Sequence, residues 1–230
     1  MRLLYHPLAM ADAGALIPWT RIDTVFVDMD GTLLDLAFDN FFWLELVPAR
    51  YASARGLDEV TAHATVTRKF AEALGTLPWY CLDHWSRELG LDIAALKREH
   101  RHLIRILPMV TEFLAAARSR ARRVVILTNA HRQTLEIKMN ETRLDDQVDC
   151  VVCSHDLDAP KESGEFWAEL ARREPFDPER TLLLDDSVAV LRAAREFGLE
   201  RSVAIRRPDS RRPARTIEEF SAVDGVADLV

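Results

Sequence analysis

The chain has 230 residues, and 48% of its side chains are hydrophobic, enough for one well-packed domain or for one domain carrying a sizeable insertion. Lys and Arg number 30 against 37 Asp and Glu, and the formal charge of -7 excludes a surface built to grip nucleic-acid phosphates, so any phosphate recognition must be local. Three cysteines supply no disulfide framework, and charged residues interrupt every stretch that could approach the ~20 apolar residues of a membrane span.

Residues 1–20 read as an N-terminal extension in which His6, Pro7 and Asp12 break the apolar run, favouring a cytoplasmic protein over a secreted one. Thr24 to Asp30 is a β-branched and aromatic run ending in carboxylates and followed by Gly31, the pattern of a buried strand with polar residues at its C-terminal tip. Leu36 to Leu107 contains no clear strand. Its Ala-, Leu-, Glu- and Arg-rich segments, punctuated near Gly56, Gly75 to Pro78 and Gly90, predict a helical cap over residues 36–107, inserted into a core of 21–35 and 108–230. Val110, Phe113, Leu114 and Ala117 then share one helix face, and strand patterns return at Val124 to Thr128, Val148 to Ser154, Thr181 to Asp186 and Ser202 to Ile205. Cys150 and Cys153 sit inside one of these runs and are expected as buried strand residues. The basic clusters Arg118 to Arg123 and Arg206 to Arg215 are expected as solvated surface. Strands alternating with helices predict an α/β fold, a doubly wound parallel sheet whose polar strand tips converge on one crevice.

Four tips carry the chemistry. The first reads Asp28-Met29-Asp30-Gly31-Thr32, the second ends Leu127-Thr128-Asn129, the third is followed by Pro160-Lys161, and the fourth is Leu184-Asp185-Asp186-Ser187. Taken singly these residues suit turns, helix caps or solvated charges. Taken in this order and strand context, they resemble the four motifs of the haloacid dehalogenase superfamily: DxDGT, a Ser or Thr after an apolar strand, a Lys, and an acidic pair after another apolar strand. The resemblance covers nearly the whole chain from Thr24 onward.

That resemblance implies a Rossmann-like core and a phosphatase mechanism. Asp28 is the expected nucleophile, forming an aspartyl-phosphate, and Asp30 the general acid and base. Thr128, Asn129 and Lys161 are expected on the phosphoryl oxygens, and Asp28, Asp30, Asp185 and Asp186 around Mg2+. A cation is physically required, because a carboxylate can approach a phosphate dianion only if positive charge offsets the repulsion, and magnesium suits carboxylate and phosphate oxygens. An acid-base aspartate two residues after the nucleophile distinguishes the phosphatase members from dehalogenases and phosphonatases, so Asp30 selects phosphoryl transfer.

The stretches Asp23 to Pro48 and Trp79 to Ile93 further resemble bacterial GMP/IMP nucleotidases, purine 5'-nucleotidases of this superfamily. The implied substrate is a purine nucleoside monophosphate, with Asn40, Trp43, Tyr80 and His84 as candidate substrate contacts in an aromatic-rich cap. The competing readings are a sugar-phosphate or phosphoglycolate phosphatase, a phosphomutase, or a non-catalytic binding protein on the same fold. Asp35 is expected at the hinge or cap boundary, Cys81 as a packed residue, and His6, His63, His100, His102, His131 and His155 at the surface or helix ends, since their spacing shows no metal-ligand pattern with matched carboxylates.

Overall fold

The structure is a computed structural model that describes residues 16–230; residues 1–15, most of the expected extension, lie outside the described residues. Six strands, β1 (Thr24–Asp28), β2 (Arg123–Thr128), β3 (Cys150–Cys153), β4 (Thr181–Asp185), β5 (Arg201–Ile205) and β6 (Ser221–Val223), form one sheet in the order β3-β2-β1-β4-β5-β6. Every pairing is parallel.

The continuous apolar runs follow from burial on both faces. Val25, Val27, Val124, Ile126, Leu182 and Leu184 pack on one side, while the intervening Phe26, Val125, Leu127 and Leu183 pack on the other. The first face is covered by α7 (Val110–Arg120) and α8 (Arg132–Thr142), and the face predicted for Val110, Phe113, Leu114 and Ala117 is the buried one. The second is covered by α9 (Gly164–Arg173) and α10 (Val188–Phe197), through Phe166, Trp167, Leu170, Val190, Leu191 and Ala194.

Between β1 and β2 the chain forms α1 (Ala37–Phe41), which runs through a π-turn at Phe42–Leu46 into α2 (Val47–Arg55), then α3 (Glu59–Ala73), α4 (Leu77–Tyr80), α5 (Leu82–Leu89) and α6 (Ile93–Glu99). The two connections to the sheet side lie antiparallel. Leu34 bridges Ile106, the Leu107 amide donates to the Leu33 carbonyl at 2.9 Å, and the Asp35 amide donates to the Arg105 carbonyl at 2.9 Å.

Several expectations need correction. The strand at β1 stops at Asp28, because Met29 to Leu34 turns back on itself with the Leu33 and Leu34 amides donating to the Met29 carbonyl. The third strand begins only at Cys150, and Cys150 is half-buried where Cys153 is buried. A sixth strand at Ser221–Val223 was not anticipated, since three residues are too short to show a periodicity. Ile17, placed in the expected extension, is 4% exposed and packs into the main core. Arg207, Arg211, Arg212 and Arg215 are exposed as expected, but the Arg206 to Arg215 loop that carries them is anchored: Asp209 is 3% exposed, the Pro208 carbonyl accepts from the Leu36 amide, and Arg211 donates to the Ala37 carbonyl. The loop straps the start of the helical insertion to the sheet.

Candidate active site

In this strand order the chain runs outward from β1 through β2 and β3, then crosses back to β4 on the other side of β1, and the C-terminal ends of β1 and β4 flank a crevice of the kind that receives ligands in open α/β sheets. A cavity of about 280 Å³ opens there, between the strand tips and the inserted helices. Asp28, Asp30, Thr128, Asn129, Lys161, Asp185 and Asp186 all line it, although they come from four separate strand ends.

Lys161, 2% exposed, organises the floor. Its Nζ donates to Asp28 Oδ1 at 2.5 Å, to Asp185 Oδ2 at 2.8 Å and to the Leu127 carbonyl at 3.1 Å. Its backbone amide donates to Asn129 Oδ1 at 2.9 Å, so Asn129 helps to fix the lysine's loop. Asp28 Oδ2 is buried with no hydrogen-bond partner. Burial pushes the Asp28 carboxyl up to about 7, with Lys161 opposing and Asp185 adding to the rise. Burial likewise raises Asp185 and raises Asp186 well above the ordinary range, the latter aided by repulsion from Asp28 and Asp185.

Gly31 makes the first tip possible. It has φ +94°, and a Cβ there would lie 2.8 Å from Pro208 Cβ and 2.9 Å from Asp186 Cγ. Only a residue without a side chain lets the β1 turn approach the β4 turn this closely.

A second charge network lies beside the first. Lys138 Nζ donates to Asp30 Oδ1 at 2.5 Å and to Asp39 Oδ2 at 2.6 Å, while Lys97 Nζ donates to Asp39 Oδ1 at 2.6 Å. Burial raises Asp30 to about 6 against the pull of Lys138. Burial would raise Asp39 too, but Lys138 and Lys97 together outweigh it and hold it below the usual carboxylate range. Lys138 is itself held up at about 12, because Asp30 and Asp39 overcome its desolvation. Sequence reasoning missed both lysines. Their signal was faint: an isolated Lys in an amphipathic helix reads as surface, yet these two are 2% and 1% exposed.

The expected substrate contacts divide. Trp43 and Tyr80 line the cavity, together with Trp79. Asn40 also lines it, but its amide is committed to Asp209 Oδ2 at 2.7 Å. His84 does not line the cavity; it packs against Trp85 with ring centroids 4.8 Å apart. Much of the aromatic density is cap core, with Phe70 meeting Trp43, Trp79 and Trp85 edge-on at 5.6, 5.4 and 4.7 Å. Glu162, also missed, links the two sides of the cavity. Tyr80 donates to its Oε1 at 2.5 Å and Asn129 to its Oε2 at 2.9 Å. Asp35 holds the boundary of the insertion, accepting from the Ala37 and Ser210 amides at 3.0 Å each and from the Ser210 hydroxyl at 2.5 Å.

Asp28, Asp185 and Asp186 each offer a carboxylate oxygen within 4.8 Å of the others. Asp28 and Asp185 share Lys161 and Asp186 meets Arg215 at 3.3 Å, and this clustered set of carboxylates, with an unpartnered oxygen on Asp28, suits a hard divalent cation. His131 stands at a helix end as expected, capping the start of α8, and His155 lies in a single 3-10 turn after β3, but both are half-buried and face each other with ring centroids 5.0 Å apart, beside Cys81.

The model of the haloacid dehalogenase-like hydrolases matches residues 22–198. The chain belongs to that family. It is an enzyme of the hydrolase class, and the family match spans both the strand tips and the inserted helices. The chain is 40% identical over 194 residues, 84% of its length, to the GMP/IMP nucleotidase YrfG of Escherichia coli (strain K12), covering 87% of that protein, and the Shigella flexneri protein of the same name matches equally. Its fold is similar to a HAD phosphatase from Thermococcus onnurineus, with TM-score 0.74 and 18% identity over 90% of this chain and 96% of the other. An L-2-haloacid dehalogenase from Xanthobacter autotrophicus shares the fold at TM-score 0.61 and 16% identity, covering 90% of this chain and 96% of that one. No helix among the described residues is long and apolar enough to cross a membrane.

Proposed function

We propose that this hydrolase cleaves a small phosphate monoester through a phosphorylated aspartate, and that its substrate is a purine nucleoside monophosphate such as GMP or IMP. The observation that carries the chemistry is Asp28 at the cavity floor, one carboxylate oxygen held by Lys161 and the other buried without a partner. Such an oxygen is fixed in direction and free to attack.

Asp28, Asp186 and, through Asp30, the first turn would hold Mg2+. Asp185 is less free to do so, because its two oxygens already accept from Lys161 and from the Ser187 amide at 2.8 Å. The ion would supply charge neutralisation for an anionic nucleophile meeting an anionic phosphate. Lys161 and the Thr128 hydroxyl bind phosphoryl oxygens, and Asn129 keeps the Lys161 loop in place. Asp30 protonates the leaving alkoxide oxygen and later takes a proton from the water that hydrolyses the aspartyl-phosphate. A carboxyl placed near 6 can serve both duties at neutral pH; burial sets that placement and Lys138 restrains it from rising further.

The helices of residues 36–107 act as the cap that closes over the substrate, with residues 21–35 and 108–230 as the catalytic core. Trp43 and Trp79 present half-exposed aromatic faces to the cavity, suited to a flat base. The 40% identity to a GMP/IMP nucleotidase extends through most of the cap and supports the same substrate class.

The test is phosphate release from a panel of nucleoside monophosphates, sugar phosphates and phosphoglycolate, with and without Mg2+, using Asp28→Asn as the blank. Mg2+-dependent preference for GMP and IMP is expected, with turnover lost in the variant. Preference for a sugar phosphate would refute the substrate, isomerised product without phosphate release would indicate a mutase, and retained turnover in Asp28→Asn would refute the nucleophile.

A further inference from the structure

Cys81, His131 and His155 lie 50 and 24 residues apart in sequence, yet each brings a ligand atom within 4.8 Å of the other two. Cys81 sits between α4 and α5 in the helical insertion, His131 follows β2, and His155 follows β3. One nitrogen of each ring is buried and lacks any partner: His131 Nδ1 and His155 Nε2. The remaining nitrogens face other groups. His131 Nε2 is 3.8 Å from Asp83 Oδ2, and His155 Nδ1 is 3.9 Å from Cys153 Sγ. At 3.8 Å the Asp83 carboxylate is a charge behind the His131 ring, on the side away from its unpartnered nitrogen, where a short rotamer change would bring it to the place that carboxylates take behind histidine ligands of zinc.

We propose that these three side chains form a zinc-class metal site, distinct from the carboxylate cluster, that clamps the helical insertion to the strand-tip loops. One thiolate and two neutral imidazoles are soft, nitrogen-and-sulfur donors that select Zn2+ over Mg2+. Ligand atoms around tetrahedral zinc lie ~3.4 Å apart, so the trio draws in by at most about 1.4 Å, within reach of rotamer adjustment at half-buried positions. On ligation the Cys81 thiol releases its proton to solvent and its sulfur lone pair forms the metal bond; the imidazoles lose nothing. The fourth position stays open to water.

The consequence for turnover rests on the phosphatase reading. Cys81 belongs to the insertion, whereas both histidines belong to the sheet side, so an ion held by all three ties the two together and resists opening for substrate exchange. His131 also lines the substrate cavity, which places the ion at its edge.

The test uses Co2+ as a spectroscopic zinc surrogate, added to the intact protein in a large excess of Mg2+. One equivalent should produce a thiolate-to-cobalt charge-transfer band, which carboxylates cannot give. The band should vanish in Cys81→Ser and weaken at least tenfold in affinity in His155→Ala, two variants whose melting temperatures and Mg2+-dependent turnover should match the parent. No band in the parent, or an unchanged band in Cys81→Ser, overturns the site. Zn2+ in excess Mg2+ should then inhibit the parent at a concentration at least tenfold lower than Cys81→Ser; equal inhibition overturns the clamp, while the cobalt band is read without reference to catalysis.

Discussion

Replacing Asp28 by its isostere asparagine should stabilise the protein. Asp28 and Asp185 share the buried cation Lys161, Asp186 lies beside them with only the half-exposed Arg215 as its cation, and burial raises the Asp28 carboxyl from its ordinary 3.8 to about 7. A carboxyl raised in the folded state contributes stability that is fully present below its unfolded value and lost as pH rises through its folded one. Its ionisation therefore costs stability across roughly pH 4 to 7, and the span from 3.8 to about 7, at ~1.4 kcal/mol per pH unit, caps that cost at about 4 kcal/mol. Asp28→Asn keeps an oxygen for Lys161 but gives up the ion pair, so we expect a net gain of about 1–3 kcal/mol at pH 8 without divalent ions, roughly 2 to 12 °C in Tm. Thermal unfolding of parent and variant from pH 8 to pH 4 measures it. The difference should shrink as pH falls, and Mg2+ should narrow it at pH 8 by stabilising the parent. A variant that melts below the parent at pH 8, or a difference that does not change with pH, refutes the electrostatic account of the site.

Other outcomes follow from the same geometry. Lys138→Met leaves Asp30 and Asp39 facing each other with one cation fewer, so it should cost about 3–5 kcal/mol in denaturant unfolding, and adding Asp39→Asn should recover part of that loss. Removing Lys138 also lifts Asp30 above about 6, which should move the limb of the pH profile set by its ionisation to higher pH. The kcat/KM of the parent should rise with pH as Asp28 ionises near 7, and saturating Mg2+ should shift that limb to lower pH, as pH profiles at two Mg2+ concentrations will show. Gly31→Ala meets both the +94° φ and the close contacts with Pro208 and Asp186; a loss of about 1–3 kcal/mol and at least tenfold in kcat is expected from melting and kinetics. Tyr80→Phe strips Glu162 of its phenol donor at 2.5 Å and should lower kcat/KM about tenfold with little change in fold, checked by kinetics beside circular dichroism.

Local patterns in the chain were enough for the α/β class, five of the six strands and the family's motif residues. A strand buried on both faces must be apolar at consecutive positions, so Thr24 to Val27 and Leu182 to Leu184 announce themselves, and the carboxylates that end them stand out against that background. Order then ties Asp28, Thr128, Lys161 and Asp186 to one crevice, because parallel strands deliver all their C-terminal tips to the same edge. What that logic cannot reach is any pairing set by tertiary contact. Lys97 and Lys138 lie on helices and look solvated until Asp39 and Asp30 arrive from elsewhere in the chain. The Arg206 to Arg215 loop looks like charged surface until Asp209 meets Asn40 and Ser210 meets Asp35 across more than 150 residues of sequence. Trp43 and His84 were equal candidates by composition, yet only helix orientation turns the first toward the cavity and the second onto Trp85. Cys81, His131 and His155 carry no sequence spacing at all, since their approach depends on how the inserted helices dock over two different strand ends. Periodicity and motif order report what each segment buries and where its tip points; which side chains then meet is decided by packing between segments, a property of the whole fold.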